Sequence, residues 1–317
     1  MLITAIGGGT GLSTLLKGLK KFDVDIVAVV TVTDEGGSSG ILRREYNIPP
    51  PGDIRNNIVA LARDEDLLVK LLQFRFDGGG ELSGHSLGNL ILTALTKLTG
   101  SFPKAVELLS QILAIKGKVL PVTDSLVRLI AKMDDGKIVK GEEEIVSHGG
   151  KIVSVSLDQH VKAMDEVVAS LSQADMIVVG PGSLYTSVIP NFLVDGVSEA
   201  ISANSRALKV YVANIMTQPG ETIGFTLYDH YREVSRYSNI AFDFVVANSQ
   251  KPDQEILERY RKEGADVVKI DYEKFDIPVI LEPMLTVVKD ERDGKIKVRH
   301  NPQKLASVLL SLKRWEP

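Results

Sequence analysis

Leu2-Ile3-Thr4-Ala5-Ile6 followed at once by Gly7-Gly8-Gly9-Thr10-Gly11, with an amphipathic stretch from Leu12 to Lys21, is the segment that decides the fold class. An apolar run, a glycine loop and a helical pattern make the first unit of a doubly wound α/β sheet. Glycines at such a turn let the backbone approach an anion closely, and the following helix aims unpaired N–H groups at it. The run is not a dinucleotide fingerprint, because the third fingerprint glycine would fall at Leu12. Nor is it a P-loop, since no lysine follows the glycines. A tight βα turn without a ligand is the plainer alternative.

The same alternation continues along the chain. Ile26–Val32 is nearly all Val, Ile and Ala, as a strand buried on both faces should be. It leads into the polar loop Thr33–Gly40. Pro49-Pro50-Pro51-Gly52 then breaks the chain before Asp53, the expected cap of a helix reaching about Arg63. Apolar spacing predicts helices over Leu67–Phe74, Leu87–Leu98 and Lys104–Leu113. Between about 118 and 155, short β-like pieces with Asp-Gly and Gly-Gly turns suggest a small antiparallel insertion. Strands over Met176–Val179, Leu208–Ala213 and Phe242–Ala247 each run into small polar residues and then a helix. Leu285–Lys289 and Lys295–Val298 flank Asp293-Gly294 as a hairpin, and a last helix starts at Pro302. The expectation is a single doubly wound, mostly parallel α/β domain over 1–317, Rossmann-like, with that insertion.

Composition narrows the functions. The 317 residues are 44% hydrophobic and 25% charged, which suits a globular chain with a large core. A net charge of −4 leaves no electrostatic footprint for nucleic acid. No apolar run approaches the roughly 20 residues of a membrane span, and no basic segment leads into a signal-peptide core. Cysteine is absent, which excludes disulfides, thiolate metal sites and a cysteine nucleophile and fits a cytoplasmic protein. A homo-oligomer stays open.

Ligands of an open parallel sheet bind beyond the carboxyl ends of its strands. Four polar loops leave such ends: Gly7–Gly11, Thr33–Gly40, Gly180–Ser187 and Asn214–Thr222. The phosphate candidates are Gly7, Gly8, Gly9, Thr10 and Gly11, with Ser38, Ser39, Arg43, Asp53, Arg55, Asn56, Gly182 and Ser183. Asn248 and Arg299 join them as base or phosphate contacts, because both follow late strands. The hydroxyl- and amide-bearing candidates for a sugar are His85, Asn89, Tyr185, Thr186, Asn214, Thr217, Glu221 and Thr222. Asp34 ends the second strand, where it could hold a ribose hydroxyl or a divalent metal, act as a base, or simply close an Asx-turn. Met216 reads as packing. No pair of histidines has helical metal-ligand spacing.

These loops also carry a resemblance. Gly-Gly-Gly-Thr-Gly at 7–11, Thr-Val-Thr-Asp-Glu-Gly-Gly-Ser-Ser-Gly at 31–40 and Pro-Gly-Asp-Ile-Arg-Asn at 51–56 are similar to those of the YvcK-like gluconeogenesis factors. So are His-Ser-Leu-Gly-Asn at 85–89, Pro-Gly-Ser-Leu-Tyr-Thr-Ser at 181–187 and Met-Thr-Gln-Pro-Gly-Glu-Thr at 216–222. That family lies within the CofD-like superfamily, and the similarity spans essentially the whole chain. It implies a cytoplasmic protein that binds UDP-sugars such as UDP-N-acetylglucosamine and supports cell shape on gluconeogenic carbon. The CofD branch implies a transferase of a phosphate-linked group (2-phospho-L-lactate transferase) using a divalent metal such as Mg2+, with Asp34 as the metal-associated acid. Asp34 here stands in the YvcK-like form Asp-Glu-Gly-Gly-Ser-Ser-Gly, and no aromatic cluster suits a deazaflavin, the one Trp being Trp315. An NAD(P)-dependent oxidoreductase is the third reading, on fold analogy.

Overall fold

The computed structural model describes residues 1–63, 67–290 and 294–313. The first apolar run is strand β1 (Leu2–Gly7), buried from Ile3 onward, and the second is β2 (Asp25–Val30). Four strands follow the helical segment after β2. β3 is Lys118–Pro121, and β4 (Leu129–Met133), β5 (Ile138–Lys140) and β6 (Ile152–Leu157) make a separate antiparallel sheet in the order β5-β4-β6. The chain then returns through β7 (Met176–Val179), β8 (Leu208–Val212), β9 (Phe244–Asn248) and β10 (Val279–Glu282). A hairpin of β11 (Leu285–Lys289) and β12 (Ile296–His300) closes the strand list.

The main sheet has seven strands in the order β3-β2-β1-β7-β8-β9-β10, parallel at every pairing. Strand order runs outward on both sides of one seam, between β1 and β7, and that seam is the topological switch point. Helices cover both faces, so the central strands carry unbroken apolar sequence and lie fully buried at Ile3, Ala28, Val29, Ile177 and Val178.

The helices are α1 (Gly9–Leu19), α2 (Gly37–Tyr46), α3 (Gly52–Leu61), α4 (Leu67–Gln73), α5 (Leu87–Thr99) and α6 (Phe102–Ile112) in the first half. They continue with α7 (Glu142–His148), α8 (Asp165–Gln173), α9 (Val197–Ala203), α10 (Leu227–Ser238), α11 (Gln254–Lys262) and α12 (Pro302–Leu312). None of the described helices is long and apolar enough to cross a membrane.

Four local outcomes differ from the reading of the sequence. Lys118–Pro121 is not part of the insertion but the edge strand of the main sheet. Its burial alternates, covered at Val119 and Pro121 only, so it lacks the continuous apolar run of a central strand. The polar loop after β2 is shorter than expected, because Gly37-Ser38-Ser39-Gly40 forms the first turn of α2. These residues are poor helix formers, and packing of α2 on α5 overrides the propensity. α1 starts at Gly9, inside the glycine run, with Gly8 extended ahead of it. Asp53 does not cap α3, which begins at Gly52 without a side-chain cap; its carboxylate is used elsewhere. The hairpin turn at Asp293 and the lone Trp315 lie outside the described residues.

Candidate functional site

The two glycine loops meet at the switch point. β1 exits into Gly7–Gly11 and β7 into Gly180–Ser187, and the loops touch: a Cβ at Gly11 would stand 2.4 Å from the Pro181 carbonyl oxygen. Glycine is required there by close approach, and at Gly9 by a φ of +61°. The second loop is pinned from β8. Asn214 Oδ1 accepts the Gly182 N–H at 3.1 Å, and its Nδ2 donates to the Gly182 carbonyl at 2.8 Å. Gln218 Nε2 donates to Ser183 Oγ at 2.7 Å. The carboxamides thus hold the loop's shape from behind.

Two clefts open from this crest and share Gly9, Thr10, Ser183 and Ser187. The first, of about 310 Å3, lies over β7, β8 and the β11–β12 hairpin. Its wall carries a small apolar cluster, Ile215, Met216 and Val298 with Tyr260 packed on it, and the cations Lys297 and Arg299. The Val298 N–H donates to Tyr260 Oη at 2.8 Å, which fixes that ring against β12. Buried His300 closes the floor. Desolvation, then the neighbouring charge of Arg299, lowers its pKa to about 4, so the imidazole is neutral at pH 7.

The second cleft, of about 370 Å3, is walled by polar groups from loops after β2, from α3, α5 and from the insertion. It contains Asp34, Ser38, Ser39, Asp53, Asn56, Arg75, Asn89 and Glu142. Its carboxylates already hold the backbone donors that a phosphate would want. Asp53 Oδ2 accepts the Gly9 N–H at 2.7 Å, and Asp34 Oδ1 accepts the Gly36 N–H at 2.9 Å. From α7, Glu142 Oε2 takes the Glu35 N–H at 3.1 Å and Glu143 Oε1 the Gly37 N–H at 3.0 Å. Burial, then the charges of Asp34 and Asp53, pushes the Glu142 carboxyl well above the ordinary range. Such a chamber favours donors and cations over bare anions.

Hydroxyl and amide groups line its back. Ser38 Oγ lies 3.0 Å from His85 Nδ1 and accepts from Asn89 Nδ2 at 3.1 Å, while Asn89 Oδ1 is buried without a partner. Asn89 is placed by the Ser86 hydroxyl, which caps α5 by accepting the Asn89 N–H at 3.2 Å. Among the described residues no three carboxylate or imidazole side chains come close enough to cage a metal ion. The donor set fits instead the habit of Mg2+, held by one or two carboxylates and completed by ligand phosphate and water.

The structure brings together Gly8–Gly11, Gly182, Ser183, Asn214, Thr217 and Arg299 at the first cleft, and Asp34, Ser38, Ser39, Asp53, Asn56 and Asn89 at the second. His85 stands behind Ser38. Gly7 is buried at the end of β1. Arg55 is buried too: its Nη2 donates to Asn56 Oδ1 at 2.7 Å, so it orients that amide rather than facing a ligand. Tyr185, Thr186, Glu221 and Thr222 are all buried below the crest. Glu221 accepts the Tyr185 N–H at 2.8 Å and the Thr186 hydroxyl at 2.9 Å, and Tyr185 Oη donates to Glu233 at 3.1 Å. They brace the second glycine loop. Asn248 is spent on the chain as well, accepting the Met284 N–H at 2.9 Å. Arg43 faces a separate pocket. Sequence reasoning missed Ser187, Gln218, Tyr260, Lys297, Val298, Arg75 and Glu142. Ser187 and Gln218 sat inside quoted motifs, whereas Glu142-Glu143-Glu144 reads as a solvated acidic turn and, in the hairpin strand, only Arg299 drew attention.

A family model described as 2-phospho-L-lactate transferase CofD matches residues 3–285. The chain belongs to the CofD family. Its similar relatives within that family are gluconeogenesis factors. The putative gluconeogenesis factor of Thermotoga maritima is 56% identical over 99% of this chain and 100% of its own length. The gluconeogenesis factor of Bacillus subtilis is 44% identical over 98% and 97%. The crystal structure of a Bacillus halodurans protein superposes with a TM-score of 0.91 at 43% identity, covering 98% of each chain. This member of the CofD family therefore shares its fold with that crystal structure over nearly the whole chain, and its sequence over nearly the whole chain with gluconeogenesis factors.

Proposed function

We propose that this chain binds a UDP-sugar of the UDP-N-acetylglucosamine type and acts as a cytoplasmic regulatory protein, tied to cell shape and growth on gluconeogenic carbon. The observation that supports this reading is the pair of chemically opposite clefts joined at one glycine crest. The first cleft offers an apolar wall for a uracil ring and two cations, Lys297 and Arg299, beside the crest for the diphosphate. The acid chamber offers carboxylates, hydroxyls and amides, which accept from and donate to the many hydroxyls of a sugar. A nicotinamide would need a flat apolar slot in place of that chamber. Asp34 would hold Mg2+, which would supply positive charge to a ligand phosphate.

UDP-N-acetylglucosamine is expected to raise the melting temperature more than NAD, NADP or GDP at equal concentration. At a hundred times its dissociation constant a ligand adds roughly 2.7 kcal/mol of stability. For a chain of this size each kcal/mol moves Tm by about 2–4 °C, so the shift is several degrees. The family model supports one competing reading, a transferase acting on a phosphate-linked group. A larger shift with GDP plus Mg2+ would favour that reading and defeat the first.

A further inference from the structure

Arg43 is a phosphate candidate in the sequence, yet neither it nor its neighbour Arg44 lines the clefts at the switch point. They turn to the opposite side of the segment that follows β2. There a pocket of about 240 Å3 is lined by Arg43, Arg44, Asn47, Arg128, Leu126, Gly40 and Glu35. Three arginines and one carboxylate line it, and two of the guanidinium groups meet that carboxylate. Arg128 occupies both oxygens of Glu35, Nε to Oε1 at 2.8 Å and Nη2 to Oε2 at 3.0 Å, a bidentate pair. Arg43 must share Oε1 at 3.3 Å, and its buried Nη1 finds no acceptor in hydrogen-bond geometry. Arg44 is exposed and makes no ion pair among the described residues. Asp158, which accepts the Arg128 backbone N–H at 2.8 Å, and Glu144 add negative charge beside these arginines without lining the pocket.

We infer that this pocket is a second anion-binding site, separate from the switch-point clefts, that takes the phosphate group of a small dianionic ligand. Arg43 shares its counter-ion with Arg128, and exposed Arg44 makes no ion pair among the described residues, so a phosphate dianion in the pocket meets guanidinium donors that Glu35 does not fill. Arginine forks match phosphate oxygens in geometry as well as charge. The volume falls below the roughly 300–1,000 Å3 of pockets for drug-sized ligands, which excludes a nucleotide-sugar and suits a phosphate group.

Inorganic phosphate is the probe, titrated calorimetrically against the full chain at constant ionic strength with chloride as control. The background is Gly9→Asp, which puts a negative charge at the glycine crest and so removes phosphate binding there. Saturable binding is expected in this background. Adding Arg44→Glu is expected to weaken it by about tenfold or more, since a favourable charge becomes a repulsive one. Arg44 is exposed, so the fold tolerates the change, and Arg44→Ala should show a smaller loss in the same direction. No saturable binding in the Gly9→Asp background, or binding unaltered by Arg44→Glu, overturns the inference. Neither outcome bears on the sugar-nucleotide reading of the clefts.

Discussion

The two clefts on either side of the glycine crest share four residues and almost nothing else. Beyond the first glycine loop and the start of α1, the first is built from the second half of the chain, with an apolar cluster and two cations. The second is built from the first half and the insertion, and its carboxylates sit on the very N–H groups at Gly9, Glu35 and Gly37 that a helix-terminus phosphate site would use. A glycine-rich βα turn is therefore only half of a phosphate site. What flanks it decides which side of the turn an anion can occupy, because carboxylates a few ångströms away oppose a second negative charge.

The largest effect that can break this contrast is at the crest itself. Gly9→Asp should lower nucleotide-sugar affinity by roughly a hundredfold, since juxtaposed like charges cost several kcal/mol. Gly9 has φ +61°, so some stability is lost as well, but space exists: the nearest atom to an added Cβ is Ser187 Oγ at 3.6 Å. Retained far-UV circular dichroism with unchanged affinity would refute a shared crest.

Next comes the acid chamber. Asp34→Asn should weaken binding by about 1.5–2 kcal/mol, over tenfold, as loss of a charged hydrogen-bond partner does. Chelator then tells the two roles apart: lost wild-type binding marks an ion bridged to phosphate, and unchanged wild-type binding marks a direct sugar contact. If Asp34→Asn binds like wild type, Asp34 only closes its own turn through the Gly36 N–H.

A smaller effect concerns pH. Glu142 titrates higher in the folded chain than in the unfolded one, so between the two values the folded state holds the extra proton. Stability is then full below the unfolded value and falls as pH rises through the folded one. Glu142→Gln keeps an acceptor for the Glu35 N–H without the charge. Its Tm should exceed wild type by a few degrees at pH 8, and the gap should close as pH falls toward the ordinary glutamate value of 4.5. A gap that does not vary with pH would mean that neither burial nor the neighbouring acids shift Glu142.

The smallest effect sharpens the line between cleft and scaffold. Tyr185→Phe removes the hydrogen bond to Glu233 below the second loop, and should cost about 1 kcal/mol of stability. Affinity should be unchanged, because the ring is buried away from both clefts. A loss of affinity without a loss of stability would put Tyr185 back on the ligand.

The alternation of apolar runs with glycine- and asparagine-ended loops was legible along the chain, because a parallel sheet buried on both faces leaves continuous Val and Ile runs. That periodicity located β1, β2, β7, β8 and β9, and with them the crest. It could not locate β3 or β10, edge strands whose half-exposed residues carry no such run. Loop chemistry drew attention to Gly8–Gly11, Ser38, Ser39, Asn89, Ser183 and Asn214, which line the two clefts, since backbone freedom and polar caps are local properties. Whether a polar side chain faces a ligand or the interior is not local. Thr186 and Glu221 found each other across 35 residues and Arg43 met Glu35 on the far side of its own helix. Glu142 reached the cleft from an insertion more than a hundred residues downstream of the loop it covers. Those directions depend on how helices and the insertion dock on the finished sheet, and only the tertiary structure decides them.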